Sequence, residues 1–148
     1  MSLANNIQAI KTILDGVSGV DNVYDTVRNW QTEKQFRDGA KTASGEIQFW
    51  FLTREATEAE DLGPQFTTRR HTVAVHGYYG VSDAAASEKT FQQLVEDVAA
   101  ALEADRKLNQ TARHCGPVQV RAVDFRILNN VLCHHAELAL EVEDKPAG

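Results

Sequence analysis

The sequence predicts an α+β domain built on a mostly antiparallel sheet, and three observations predict it. Residues 70–88 alternate like a strand, pass through Gly77-Tyr78-Tyr79-Gly80 and lead into a long amphipathic helical pattern. Two strand-like runs near the C-terminus are joined by Asn129-Asn130, residues that tolerate the positive φ angles of a two-residue hairpin turn. The N-terminal segment instead carries Leu3, Ile7, Ile10 and Leu14 at helical spacing. A chain of 148 residues suits a single domain spanning residues 1–148. It is large enough to bury a core without a disulfide or metal. The predicted order is α-β-β-β-α-β-β, with an N-terminal helix and one long helix over residues 83–104 packing the sheet.

The first helix is expected over residues 3–15, ended by Gly16 and Gly19, since glycine accepts the left-handed cap conformation at low cost. Val23-Tyr24-Asp25-Thr26-Val27 is β-branched and aromatic, and reads as a strand. Residues 28–44 are polar, with Trp30 and Phe36 marking a short helix against the core. Gly45 opens a strand in which Ile47, Phe49 and Phe51 share one face and Gln48, Trp50 and Leu52 the other. Both faces are therefore expected to be covered, one by a neighbouring subunit. Residues 55–68 hold Glu55, Glu58, Glu60 and Asp61 before Gly63-Pro64 and show neither period, so they are expected as a long, mobile acidic loop.

In the opening stretch, Gly77 and Gly80 are expected to break the strand, and Ser82 or Asp83 to cap the following helix. Phe91, Leu94, Val95, Val98 and Leu102 then follow the helical period to about Ala104. In the last hairpin the turn places Leu128 opposite Val131 and Phe125 opposite His134. One face then carries Val123, Phe125, Ile127, Leu132, His134, Ala136, Leu138 and Leu140, expected as core. The other carries Asp124, Arg126, Cys133, His135, Glu137 and Glu141. Val118 and Val120 fall out of phase, which predicts a β-bulge near Arg121-Ala122 returning them to the apolar side.

The net charge of −6 argues against general affinity for nucleic acid or an anionic membrane, both of which require clustered cations. No run approaches the roughly 20 apolar residues of a membrane span. The N-terminus shows no basic segment followed by an apolar core, and with only two cysteines the expectation is synthesis in a reducing cytoplasm.

No catalytic, cofactor or metal constellation emerges. Successive strand residues point to opposite faces, so Cys133 and His134, or His134 and His135, cannot share one ion. Cys115 and Cys133 fall at opposite ends of the hairpin, about eleven residues at roughly 3.3 Å each, too far for a disulfide. Gly77-Tyr78-Tyr79-Gly80 lacks the Gly-x-Gly-x-x-Gly spacing of a phosphate turn. Asp124 and His135 are cross-strand neighbours, read as an ion pair rather than a general-base dyad. A cleft around His76, Tyr78 and the helix start is a further ligand-site reading.

The chain resembles the tail terminator (tail completion, minor tail) proteins of long-tailed phages and Mu-like prophages. The resemblance runs through Thr53-Arg54-Glu55-Ala56-Thr57, Leu62-Gly63, Arg70-His71, Gly77-Tyr78-Tyr79-Gly80, residues 83–88, Phe91-Gln92 and residues 131–137. It spans residues 20–140 and is weakest over residues 30–44. It implies a non-enzymatic virion protein without cofactors, which forms a ring, commonly a hexamer. Such a ring caps the tail tube and joins it to the head-side connector. A head-closure or neck adaptor of similar fold is the nearest competing reading. The expected interface residues are Trp50, Arg54, Glu58, Asp61, Asp124, Arg126, His135 and Glu137, with charge reversal at Arg126 weakening assembly.

Overall fold

Two antiparallel hairpins laid side by side make the sheet. The computed structural model describes residues 3–28, 30–43, 45–64, 66–82 and 86–144. Strands β2 (Gln48–Gly63) and β3 (Phe66–Gly80) form the first hairpin, and β5 (Gln119–Leu128) and β6 (Val131–Asp144) the second. β3 and β6 join them, in register from Arg70 opposite Glu143 to Gly80 opposite Cys133. A short β1 (Val23–Tyr24) adds in parallel to β2, and β4 (Ala112–Cys115) continues the edge of β6 beyond β5. Helices α1 (Leu3–Asp15), α2 (Glu33–Ala40) and α3 (Ser87–Ala104) complete an α+β domain. The class is the predicted one. The order differs by α2, which falls between β1 and β2, and by the separate strand β4.

One face of the sheet holds the main core. Trp50, Leu52, Val73, Val75, Leu138, Leu140 and Val142 meet Ile10 and Leu14 of α1 and Phe91, Val95, Val98 and Leu102 of α3. These are the apolar stripes that the 3.6-residue period marks. The opposite face is covered at one end by α2 and Trp30. The Trp30 ring lies edge-on to Phe49 at 4.8 Å, and Phe49 stacks on Tyr78 at 4.6 Å. The second apolar face of β2 is thus covered at this end within the same chain, with Phe51 left half-buried. Two side chains anchor the start of α2. Thr32 Oγ1 accepts from the Gln35 amide at 3.1 Å, and Gln35 Oε1 accepts from the Gln31 amide at 2.9 Å, satisfying donors the helix leaves open.

Three local expectations change. The glycines do not break β3, which runs to Gly80. Gly77 lies under the Trp50 indole, where an added Cβ would come within 2.3 Å of a ring carbon. Glycine is there for close approach, so its poor strand propensity is overridden. The cap of α3 is not Ser82: Ala86 takes the left-handed position with no side-chain cap, and Ser87 Oγ accepts from the Ser82 amide at 2.8 Å. Asp83 lies outside the described residues. Gly19, at φ +89°, takes the left-handed conformation after α1, whereas Gly16 does not.

Residues 55–68 are the largest correction. The expected acidic loop is mostly strand, paired from Arg54 opposite Val73 to Gly63 opposite Phe66. Past Arg70, which still pairs with β6, the hairpin continues as a two-stranded arm. Cross-strand polar pairs run along it: Glu60 meets Arg70 at 3.6 Å, and Asp61 accepts from Thr67 Oγ1 at 3.0 Å. At its root, buried His71 lies between Thr57 Oγ1 at 2.8 Å and Asp144 Oδ2 at 2.9 Å, while Asn6 of α1 donates to Asp144 at 2.6 Å. This network ties the arm to β6 and the first helix.

Candidate functional site

The β5–β6 hairpin presents two unlike surfaces. Its register is the predicted one: Leu128 lies opposite Val131, Phe125 opposite His134 and Asp124 opposite His135. Asn129 and Asn130 both take positive φ, as the primed turn requires. The pairing shifts between Val120 and Ala122, leaving Arg121 as the extra residue of the predicted bulge. The bulge aligns Val118 and Val120 with Val123, Phe125 and Ile127, and Val118 packs on the main core.

The cover on this side is not as predicted. Beyond α3, no described element covers the apolar face of β5. Val123 is 53% exposed, Phe125 56% and Ile127 72%, flanked by Val120 and Leu132. Among the described residues, these are five of the six exposed large apolar side chains, the sixth being Val27. Scattered apolar residues need no explanation, but a contiguous stripe on one strand marks a contact surface. Among the described residues, strand β5 pairs with β6 alone, so its outer edge offers backbone donors and acceptors.

The other surface is polar and layered. His135 is 99% buried. Its Nδ1 lies 2.7 Å from Asp124 Oδ1, and its ring packs on Tyr78 at 4.7 Å. The predicted Asp124–His135 pair therefore forms, and this hydrogen bond holds the Asp124 carboxyl below the usual carboxylate range. His135 Nε2 reaches His76 Nδ1 at 3.4 Å, and His76 Nε2 reaches Thr53 Oγ1 at 3.5 Å. Burial pushes the His76 pKa down, with Glu137 pulling the other way. Nδ1 of His76 is 3.8 Å from Glu137. Arg121 then pairs with both Glu137, at 3.3 Å, and Glu55.

Two bulges assemble this row. The β2 register shifts between Arg54 and Ala56, so Glu55 is the extra residue there, as Arg121 is in β5. Bulges re-aim side chains. Here they bring Glu55 and Arg121 over the cross-strand pair His76–Glu137. Among the described residues, donor atoms of Glu55, His76 and Glu137 all lie within 4.8 Å of one another, a spacing that one metal ion could span.

The expected interface residues divide. Trp50 is fully buried against Phe91 and offers nothing to a partner. His135 is likewise internal. Arg54, Glu58 and Asp61 are exposed along β2 and its arm. Asp124, Arg126 and Glu137 form pairs within the chain, Arg126 with Asp124 at 3.4 Å. The proposed cleft does not form, because His76 and Tyr78 face away from α3, while the helix start meets Tyr79's side of the sheet through Ser87 and His134, 2.9 Å apart. Sequence reasoning missed Glu55, hidden in the supposed loop, and the exposure of the β5 stripe.

Both cysteines are free and buried, at opposite ends of β6, and burial pushes each thiol pKa up to about 11. The thiolate is the reactive form. Native protein at about pH 8 is therefore expected to react with a chromogenic disulfide reagent at least about 100-fold more slowly than denatured chain. Fast labelling of either thiol in the native state would contradict this burial.

Among the described residues, no helix is long and apolar enough to cross a membrane. No protein-family model matches the chain, and no curated protein matches it in sequence.

Proposed function

We propose that this chain is a structural protein of a tailed-phage or prophage virion, a tail terminator that self-associates into a ring. The ring would cap the tail tube and present a surface to the head-side connector. The observation that carries self-association is the exposed stripe Val120, Val123, Phe125 and Ile127 on the open edge strand β5, continued by Leu132 beside it on β6. A stripe of this kind is stable in water when a partner covers it, and a neighbouring copy is the partner a ring requires. The resemblance supplies the finer assignment, including a ring of six, the tube protein and connector as partners, and a place in the virion tail. The acidic balance suits a lumen through which DNA passes without being gripped.

Light scattering after size exclusion, over a range of concentrations, tests this reading. The expected result is a discrete oligomer several times the mass of one chain. A monomer at every concentration would contradict it.

A further inference from the structure

We propose that Glu55, His76 and Glu137 form a binding site for a divalent transition-metal ion, with the Arg121 guanidinium competing for the same carboxylates. The donors come one each from β2, β3 and β6, three neighbouring strands, and converge within 4.8 Å. Their chemistry is one imidazole and two carboxylates. That set favours zinc, manganese, cobalt or nickel over calcium and magnesium, which prefer oxygen ligands alone.

The site is built rather than casual. A bulge in β2 turns Glu55 toward the row, and a bulge in β5 does the same for Arg121. An ion on the Glu137 side takes His76 Nδ1 in place of its 3.4 Å contact with His135, whose other nitrogen is held by Asp124, and leaves Thr53 on His76 Nε2. Outer partners of this kind orient a metal-binding histidine. A cation already lies between the two carboxylates, that of Arg121. Its side chain is 38% exposed and enters from the sheet edge, so it can withdraw into solvent without disturbing the core. Paired groups this exposed hold one another only weakly. An ion bound by three donors at once therefore has the advantage.

Zinc affinity, measured by competition with a chromophoric chelator, tests the site in wild type, Arg121→Gln and the double variant Arg121→Gln/His76→Gln, with circular dichroism confirming each fold. Arg121→Gln is expected to bind one ion per chain at least about tenfold more tightly than wild type. Adding His76→Gln is expected to reduce that affinity by about 10–100-fold. Affinity unchanged by either step would overturn the proposal. Excess cobalt added to wild-type protein gives a readout independent of Arg121→Gln folding. A visible ligand-field spectrum that is lost in His76→Gln supports the site, and a spectrum of free aqueous cobalt overturns it.

Discussion

The variant Phe125→Asp/Ile127→Asp is expected to be a monomer at concentrations where the wild-type chain forms its oligomer, still unfolding cooperatively but without the stabilisation that self-association adds. Both side chains lie on the free face of β5, 56% and 72% exposed, so the isolated fold loses little when they become polar. In the oligomer each would be covered. Burying a phenylalanine or isoleucine contributes about 1.5–3 kcal/mol, and burying an unpaired carboxylate in its place adds a further cost. At about 1.4 kcal/mol per tenfold, the two together weaken each contact by at least about 100-fold. Size exclusion with light scattering measures the mass, and a thermal melt checks the fold. If the doubly charged variant kept its oligomer, the stripe would not be the contact.

The largest effect on the fold itself is expected around Trp50 and Gly77. Trp50→Ala removes the largest fully buried side chain from the sheet's main core, where it packs against Phe91. The cost is about 3–5 kcal/mol. For a chain of this size that lowers the melting temperature by roughly 10 °C or more. Gly77→Ala fails for the opposite reason, because its methyl group would lie within 2.3 Å of the indole. Overpacking of this kind costs about 1–3 kcal/mol, or more where the neighbour cannot move. The two residues touch, so their effects are coupled. In the double variant the new methyl enters space the indole has left, and the combined loss is expected to fall short of the sum by at least about 1 kcal/mol. Denaturant unfolding of all four chains measures the cycle, and strict additivity would contradict the packing described.

The same pair explains what the sequence could and could not reveal. Hydrophobic period marked α1, α3 and the strands that face them, because each buries one stripe against the core. The Asn129-Asn130 turn set the register of β5 and β6, and the out-of-phase valines located the bulge at Arg121. Gly77 misled because strand propensity says nothing of an indole from the neighbouring strand. Residues 55–68 misled for a related reason. Alternation arises when one face of a strand is buried, and most of this arm is exposed, so its strands carry little periodic mark. Helix α2 spans eight residues and covers only the Phe49–Tyr78 end of the sheet, too short a segment for a clear period.

The polar site was half legible. Asp124 beside His135 follows from register alone. Glu55 joins the row only because β2 bulges between Arg54 and Ala56, and no neighbouring residue was visibly out of phase there. The apolar stripe posed the reverse problem. Its alternation reads as a core face, and sequence cannot tell a face covered by its own helix from one left for a partner. Here α3 reaches His134 and Ala136 of β6 but leaves Phe125 and Ile127 of β5 open.

Negative-stain electron microscopy of the purified wild-type chain shows directly whether it assembles into a ring. Closed rings with a stain-filled central hole are expected, absent from Phe125→Asp/Ile127→Asp prepared in the same way. Uniform particles of single-chain size, or compact oligomers without a hole, would contradict it.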